Sequence, residues 1–286
     1  MASAVPRRTG SAGSRLALNL VLLGFAVLVV APFVTMVFGS VKTPAEITSN
    51  PGGIPRSPTV DNFGVLFTGE TGMTVWRGLL NSVIVTVPFT AITVVLCAMA
   101  GYAFTRYDFR GRKAIFVLMM ASILVPFEVN LPSLYAMFAQ IGWLNTYQVQ
   151  ILPGTASVIG MFMARQYMSG LPGEVFEAAR LDGAGHWRTF RSIALPMSTP
   201  VLGAVALLTF VAKWSDYLWP RVVANDPTFQ PIMVLLPALS TSQDGFIVRY
   251  ELLLAGAAIV TLPLLLLFLV FQSTLMSGTT AGAVRG

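Results

Sequence analysis

The chain has 286 residues, 55% of them hydrophobic and only 10% charged, with a mean hydropathy of +0.73. Soluble domains carry about 25% charged residues, so this composition excludes an ordinary water-soluble globule and indicates an integral membrane protein. The formal charge of +6 does not point to nucleic acid, because the bases lie in short loops between apolar runs, where they set orientation in a bilayer.

Residues 1–15 are small and polar with Arg7, Arg8 and Arg15, and read as an N-terminal tail without fixed structure. Leu16–Phe38 is an apolar run long enough to cross a bilayer, which takes about 20 residues. A cleaved signal peptide would have an apolar core of about 7–15 residues and a small-x-small site, so a retained helix is expected. Residues 39–78 are rich in Pro, Gly, Ser and Thr and read as an external loop, with Trp76 and Arg77 at headgroup level. The second span, Leu79–Phe104, holds the single cysteine, Cys97. One cysteine excludes a disulfide framework within the chain and a cysteine metal cluster.

A basic loop, Arg106–Lys113, leads to a third span, Ala114–Phe138, which contains Pro126, Glu128, Asn130 and Pro132. The fourth span, Thr146–Met168, is interrupted by Pro153, and a polar segment, 169–198, follows. The fifth span is Thr199–Val223 and the sixth Leu252–Phe271, separated by an external loop. Within that loop Ile232–Leu239 is apolar but too short to cross, and reads as an external surface element. The expected organisation is a cytoplasmic tail 1–15, a six-helix membrane domain 16–273 and a cytoplasmic tail 274–286.

Six spans put both termini on one side. With that side inside, twelve bases are cytoplasmic (Arg7, Arg8, Arg15, Arg106, Arg110, Arg112, Lys113, Arg165, Arg180, Arg188, Arg191, Arg285) and five are external (Lys42, Arg56, Arg77, Arg221, Arg249). The excess of inside bases fixes the orientation and makes 169–198 cytoplasmic.

That segment is built to form a helix–turn–helix at the membrane surface. Pro172 suits a first helical turn, and Glu174 and Glu177 follow where carboxylates meet the positive end of the helix dipole. Val175, Phe176, Ala178, Ala179 and Leu181 form an apolar strip, and Gly183 and Gly185 stop the helix. His186, the only histidine, reads as a solvated surface residue.

Three charged residues fall inside spans: Glu128, Lys213 and Asp216. Such charges face protein or a watery cavity. Glu128 and Lys213 both lie roughly 21 Å from the cytoplasmic end at ~1.5 Å per residue, which places them at one depth. With Asn130, Trp214, Asp216 and Tyr217 they are the candidate substrate path. The alternative is structural: a Lys213–Asp216 pair on one helix plus a bond to Glu128. Trp219 beside Pro220 reads as an interfacial anchor. Pro88, Pro126, Pro132, Pro153 and Pro263 each free a backbone carbonyl within a span. No Ser/His/Asp set and no metal-ligand set is present, so an enzyme is not expected.

Glu177-Ala178-Ala179, three residues, Gly183, nine residues, Ile193, one residue, Leu195-Pro196 resembles the EAA loop of ABC importer permeases without a gap. The resemblance implies an all-α integral membrane protein of the type I ABC importer permease fold. It also implies that Glu177, Ala178, Ala179, Leu181, Asp182 and Gly183 form a coupling helix seated in an ATPase subunit. Both alanines would allow close seating, Gly183 the turn, and Glu177 a bond to a basic or donor group. The Asn81-Ser82 start of the second span, the Trp214–Pro220 run and the tail Thr280–Gly286 resemble carbohydrate-importer permeases. The likeness is greatest to the shorter, second permease of maltose-type and glycerol-3-phosphate-type systems.

That likeness implies a heterodimer with a second permease, an ATPase dimer, an extracytoplasmic solute-binding protein and surrounding membrane lipid. It implies a multi-pass protein of a bacterial or archaeal plasma membrane with both termini cytoplasmic. The chain has no G-x-x-x-x-G-K-[ST] loop, so it is expected to bind no cofactor, with ATP and Mg²⁺ in the partner ATPase. An ion-coupled carrier using Glu128 and Asp216 is the rival from another class, and glycerol-3-phosphate is the rival solute.

Overall fold

The computed structural model describes residues 12–68, 74–241 and 248–283, and among them no strand forms. Residues 1–11, 242–247 and 284–286, which belong to the expected tails and second external loop, lie outside the described residues.

Helix α1 (Ala12–Ser40) is followed by α2 (Pro44–Ser49), whose N-cap Thr43 accepts the Glu46 N–H and whose first residue is proline. Then come α3 (Asp61–Thr68) and the 32-residue α4 (Val75–Arg106), capped by Thr74. At ~1.5 Å per residue α4 is about 48 Å long and exceeds the hydrocarbon core. The expected third span is two helices, α5 (Arg112–Ser122) and α6 (Phe127–Gln140), bent by 96°. Pro126 sits at the bend. It lacks an N–H and disfavours helix at Val125, and the N–H groups of Ile123, Leu124 and Val125 bond only three residues back.

The expected fourth span is likewise interrupted. A short α7 (Tyr147–Ile151) ends before Pro153 and Gly154, the latter at φ +83, and α8 (Val158–Ser169) restarts under a Ser157 cap. Next are α9 (Gly173–Leu181), α10 (His186–Thr189), a π-helical stretch Phe190–Ala194 and α11 (Leu195–Met197). Helix α12 (Thr199–Trp214) leaves at 75° to the preceding helix. The chain ends through α13 (Leu218–Val223), α14 (Ile232–Leu239) and α15 (Tyr250–Ala283).

Among the described residues three stretches are unbroken, long and apolar enough to cross a membrane: Leu16–Ser40, Val75–Arg106 and Tyr250–Phe271. The count rises to five when each bent pair is one span. The expected third and fourth spans are thus interrupted helices, broken at Pro126 and Pro153. Pro88 and Pro263 stay inside continuous helices. Helix α15 also continues past Phe271 into the expected tail, as far as Ala283.

By internal contacts the chain forms two units, one made of residues up to Leu66 with 240–258, the other of Phe67–Leu239 with residues from 259. In the first, the loop after α1 is organised by three buried polar residues. The Lys42 ammonium donates to the carbonyls of Asn50 (2.7 Å) and Gly53 (2.6 Å). Asn62 donates to the carbonyls of Ser40 and Lys42, each at 2.9 Å. The Glu46 carboxylate accepts the N–H groups of Arg56 (2.7 Å) and Ser57 (3.4 Å). Most α1 side chains from Leu16 to Val37 are exposed, an apolar surface suited to lipid.

The second unit is built on α4. A Cβ added to Gly101 would lie 2.7 Å from the Ala164 Cβ and 2.9 Å from the Arg165 nitrogen, and one on Gly160 would lie 2.7 Å from the Cys97 sulfur. These small residues bring α4 and α8 into backbone-close contact, the usual solution where lipid gives no hydrophobic drive between helices. At the other end of α4, the Asn81 amide donates to the carbonyls of Thr228 and Gln230 and accepts the Tyr147 hydroxyl. Ser82 accepts the Ile232 N–H at 3.0 Å. These bonds hold α14 against Gly78, and five of its eight residues are buried. The expected surface element is thus a packed one, because its apolar face closes on α4.

Gly101→Ala is expected to destabilise the purified protein by ~1–3 kcal/mol through overpacking, read as a lowered Tm in detergent. Gly24→Ala, with open space around the new methyl, should leave Tm unchanged. The Arg56 N–H, and to a lesser degree Ser57, Asn50 and Lys42, hold the Glu46 carboxyl below the usual carboxylate range. A depressed folded-state pKa stabilises fully above the unfolded value and is lost as pH falls through the folded one. Protection of the Arg56 amide, its exchange rate relative to the intrinsic rate at each pH, should therefore fall on acidification below the usual glutamate range, and Glu46→Gln should remove that pH dependence.

Candidate functional site

Helix α9 starts at Gly173, with Pro172 at the N-cap position and Glu174 in the first turn. Its apolar residues divide between two faces. Phe176 and Ala179 point inward, Phe176 joining a cluster with Tyr102, Met168 and Phe190. Glu177, Ala178, Leu181 and Asp182 point outward, and Leu181 is 90% exposed. Ala179 is therefore not on the free face with Ala178, as the single apolar strip implied, because residues three apart at 176 and 179 share the inner face. Gly183, at φ +75, ends the helix. Its N–H bonds to the Arg180 carbonyl (3.0 Å) and the Ala184 N–H to the Ala179 carbonyl (2.9 Å), a Schellman turn that requires the left-handed conformation.

The loop helix is tied to the end of α4 by Arg106, counted in the sequence only as a topogenic charge. The Arg106 guanidinium lies 3.6 Å from the centroid of the Phe176 ring and donates to the Leu171 carbonyl at 3.3 Å. After α10 the Leu195 N–H reaches back five residues to Phe190. Pro196 has no N–H to continue the ordinary ladder, so the turn widens before α12 departs. His186 is exposed, as expected, with its ring edge-on to Tyr107.

Among the candidate path residues, Lys213 and Asp216 come together. Lys213 is buried, 2.9 Å from the Asp216 carboxylate and 4.9 Å from the Phe89 ring centroid. They border a cleft of about 220 Å³ with Phe89, Phe127, Pro153 and Trp219. Phe89, Gly154 and Ala212 are shared with a second, mostly apolar cleft of about 360 Å³. Glu128 and Asn130 are exposed, and no ion pair joins Glu128 to Lys213 among the described residues. Of the structural alternative, the Lys213–Asp216 pair therefore forms and the bond to Glu128 does not, since the 96° bend carries α6 out of the line of α5.

Trp214 and Trp219 are structural. Trp214 is 2% exposed, donates to the Val260 carbonyl (3.2 Å) and stacks on Phe210, so it does not line the cleft. Trp219, expected at the interface, is equally buried, donates to the Val149 carbonyl (2.8 Å) and packs edge-on against Phe127 and Phe138. Tyr217 is exposed. Helix α12 ends at Trp214, so the residues after it leave the rotational register that a continuous span would impose. Among the described residues no three His, Cys, Asp or Glu side chains converge as a metal site.

Bent apolar helices beside a cleft that holds a paired Lys213 and Asp216, with an exposed helix on a connecting loop, are the features a membrane permease requires. Residues 93–278 match the family described as binding-protein-dependent transport system inner membrane component, and the chain belongs to this family. It is 34% identical to the arabinooligosaccharides transport system permease protein AraQ of Halalkalibacterium halodurans, over 93% of this chain and 96% of that one. It is 33% identical to the maltodextrin transport system permease protein MdxG of Bacillus subtilis, over 80% of this chain and 81% of that one. Its fold is similar to that of a bacterial ABC transporter chain involved in alginate import, with a TM-score of 0.80 at 18% identity, over 94% of this chain and 99% of that one. The chain is thus an integral, non-catalytic permease component, and its family implies a partner permease, an ATPase and a binding protein.

Removing one partner of a buried pair costs about 3 kcal/mol. Asp216→Asn should therefore lower Tm, while the double variant Lys213→Met, Asp216→Leu should recover most of the loss. Equal Tm values for the wild type and Asp216→Asn would mean that the pair is solvated.

Proposed function

We propose that the chain forms half of the translocation path of an ATP-driven importer of oligosaccharides, paired as a heterodimer with a second, different permease. The orientation given by the inside bases puts both termini and α9 in the cytoplasm, against an ATPase dimer, with 224–250 facing the solute-binding protein. Several similar permeases are named for arabinooligosaccharide, maltodextrin or lactose transport, which supports a sugar.

The charge balance favours the same class over glycerol-3-phosphate. Lys213 is neutralised by Asp216 at 2.9 Å, so their cleft offers no net positive charge to a phosphate and suits a neutral polyhydroxyl solute.

The observation that carries the coupling role is the outward face of α9. An exposed leucine beside Ala178 and Glu177, on a helix fixed by a glycine turn and by Arg106, is an apolar anchor with a charged neighbour. Burying such an exposed leucine against a partner removes its apolar area from water. Leu181→Asp should leave Tm and membrane insertion unchanged and weaken ATPase-subunit capture roughly 30-fold, from a buried leucine worth ~2 kcal/mol. Glu177→Lys should abolish substrate-stimulated ATP hydrolysis by the reconstituted complex. Normal stimulation in both variants would refute the coupling role, and an uptake assay with arabino- and malto-oligosaccharides tests the solute class.

A further inference from the structure

Between the end of α4 and the turn after α9 lies a cleft of about 330 Å³, bordered by Tyr102, Arg106, Arg180, His186 and Thr189. Two arginines and an imidazole face it, and among the described residues no carboxylate is paired with them. The ion pairs found among the described residues, Arg112–Asp108, Lys213–Asp216 and Arg249–Glu251, involve none of the cleft's lining residues. The Arg106 Nε is buried without a hydrogen-bond partner, and the neighbouring Nη2 makes only long bonds, 3.3 and 3.5 Å, to two carbonyls. Like charges gathered in a partly desolvated cavity repel unless an anion lies between them.

The cleft does not end at its basic groups. It shares Tyr102 and His186 with an apolar groove of about 310 Å³ formed by Met99, Ala103, Tyr107, Trp187 and Phe190. Trp187 is 63% exposed, as a ring at headgroup level would be. Arg106 is the last residue of the long apolar α4 and is followed by Arg110, Arg112 and Lys113, so the cleft lies where hydrocarbon gives way to headgroups.

We propose that this composite cavity binds one anionic phospholipid, its phosphate held by Arg106, Arg180 and His186 and one acyl chain lying in the groove. Free phosphate or an acidic protein side chain would satisfy the basic end and leave the groove empty. A phospholipid fills both. Basic pockets between membrane helices recognise anionic head groups by this combination. The assignment depends on neither the sugar nor the coupling role.

The test uses the complete transporter, purified with its partner subunits and reconstituted in phosphatidylcholine nanodiscs. These are doped with phosphatidylglycerol carrying a photoactivatable diazirine in its acyl chain. Adducts are expected at Met99, Trp187 or Phe190. Arg180→Gln should reduce them about fivefold, since each base near an anionic surface is worth ~1 kcal/mol. Because Arg180 is exposed, that variant should fold even if Arg106→Gln does not. An equal yield from a phosphatidylcholine probe, or an unchanged yield in Arg180→Gln, would overturn the proposal. Displacement by inorganic phosphate would assign the cleft to a soluble anion, and adducts that form on the permease pair alone but not on the complete transporter would assign it to an acidic side chain of the ATPase subunit. Substrate-stimulated ATP hydrolysis is measured on the same samples. In the wild-type complex, absent stimulation with adducts present counts against coupling alone, and absent adducts with stimulation present counts against the lipid site alone.

Discussion

The close approach of α4 and α8 at Gly101–Ala164 and Cys97–Gly160 is the contact on which the larger unit is assembled. In a bilayer the lipid tails are as apolar as leucine, so helices gain little by hiding apolar surface from one another. Association then depends on dispersion between closely apposed backbones and on polar bonds that hydrocarbon cannot replace. Helix α4 supplies both. Its small residues admit α8, and at its start Asn81 and Ser82 bond to backbone groups of the 228–232 segment. Without that contact, neither the cleft beside Lys213 nor the platform under α9 would have a wall.

The far end of α4 carries the link to function. Arg106 stacks on Phe176 and bonds to the Leu171 carbonyl, so the inner face of α9 is joined to the longest helix of the unit, and the outer face is left free. On the proposed function, force applied at Leu181 and Glu177 has a short, stiff route into the bundle. Gly183 matters because it fixes where α9 ends, and so which residues lie on each face. The same arginine borders the basic cleft proposed to hold a lipid, behind the surface proposed to couple.

The buried Lys213–Asp216 pair shows how a membrane cavity keeps charge without net field. The two groups lie three residues apart at the end of α12, and Asp216 also accepts the Trp219 N–H where helix gives way to α13. A pair that neutralises itself leaves the neighbouring cleft polar but uncharged. Phe89, Phe127 and Trp219 add aromatic rings to its wall.

The membrane class, the positions of the long apolar stretches and the EAA-type loop were legible in the sequence, because each is a local property: run length, charge distribution, or glycine and proline at fixed spacing. Asn81-Ser82 was noticed only as a resemblance, since its bonding partners lie about 150 residues away. Only the tertiary structure decided which prolines break a helix. Pro126 and Pro153 sit at breaks, whereas Pro88 and Pro263 are held within helices. It also decided that Ala179 faces in and Leu181 out, and that Trp214 and Trp219 are core residues with their indole N–H groups satisfied by backbone carbonyls. A helical repeat gives the relative directions of neighbouring side chains but not which face meets another helix, and every break resets that direction. Facing is therefore fixed by partners distant in the chain.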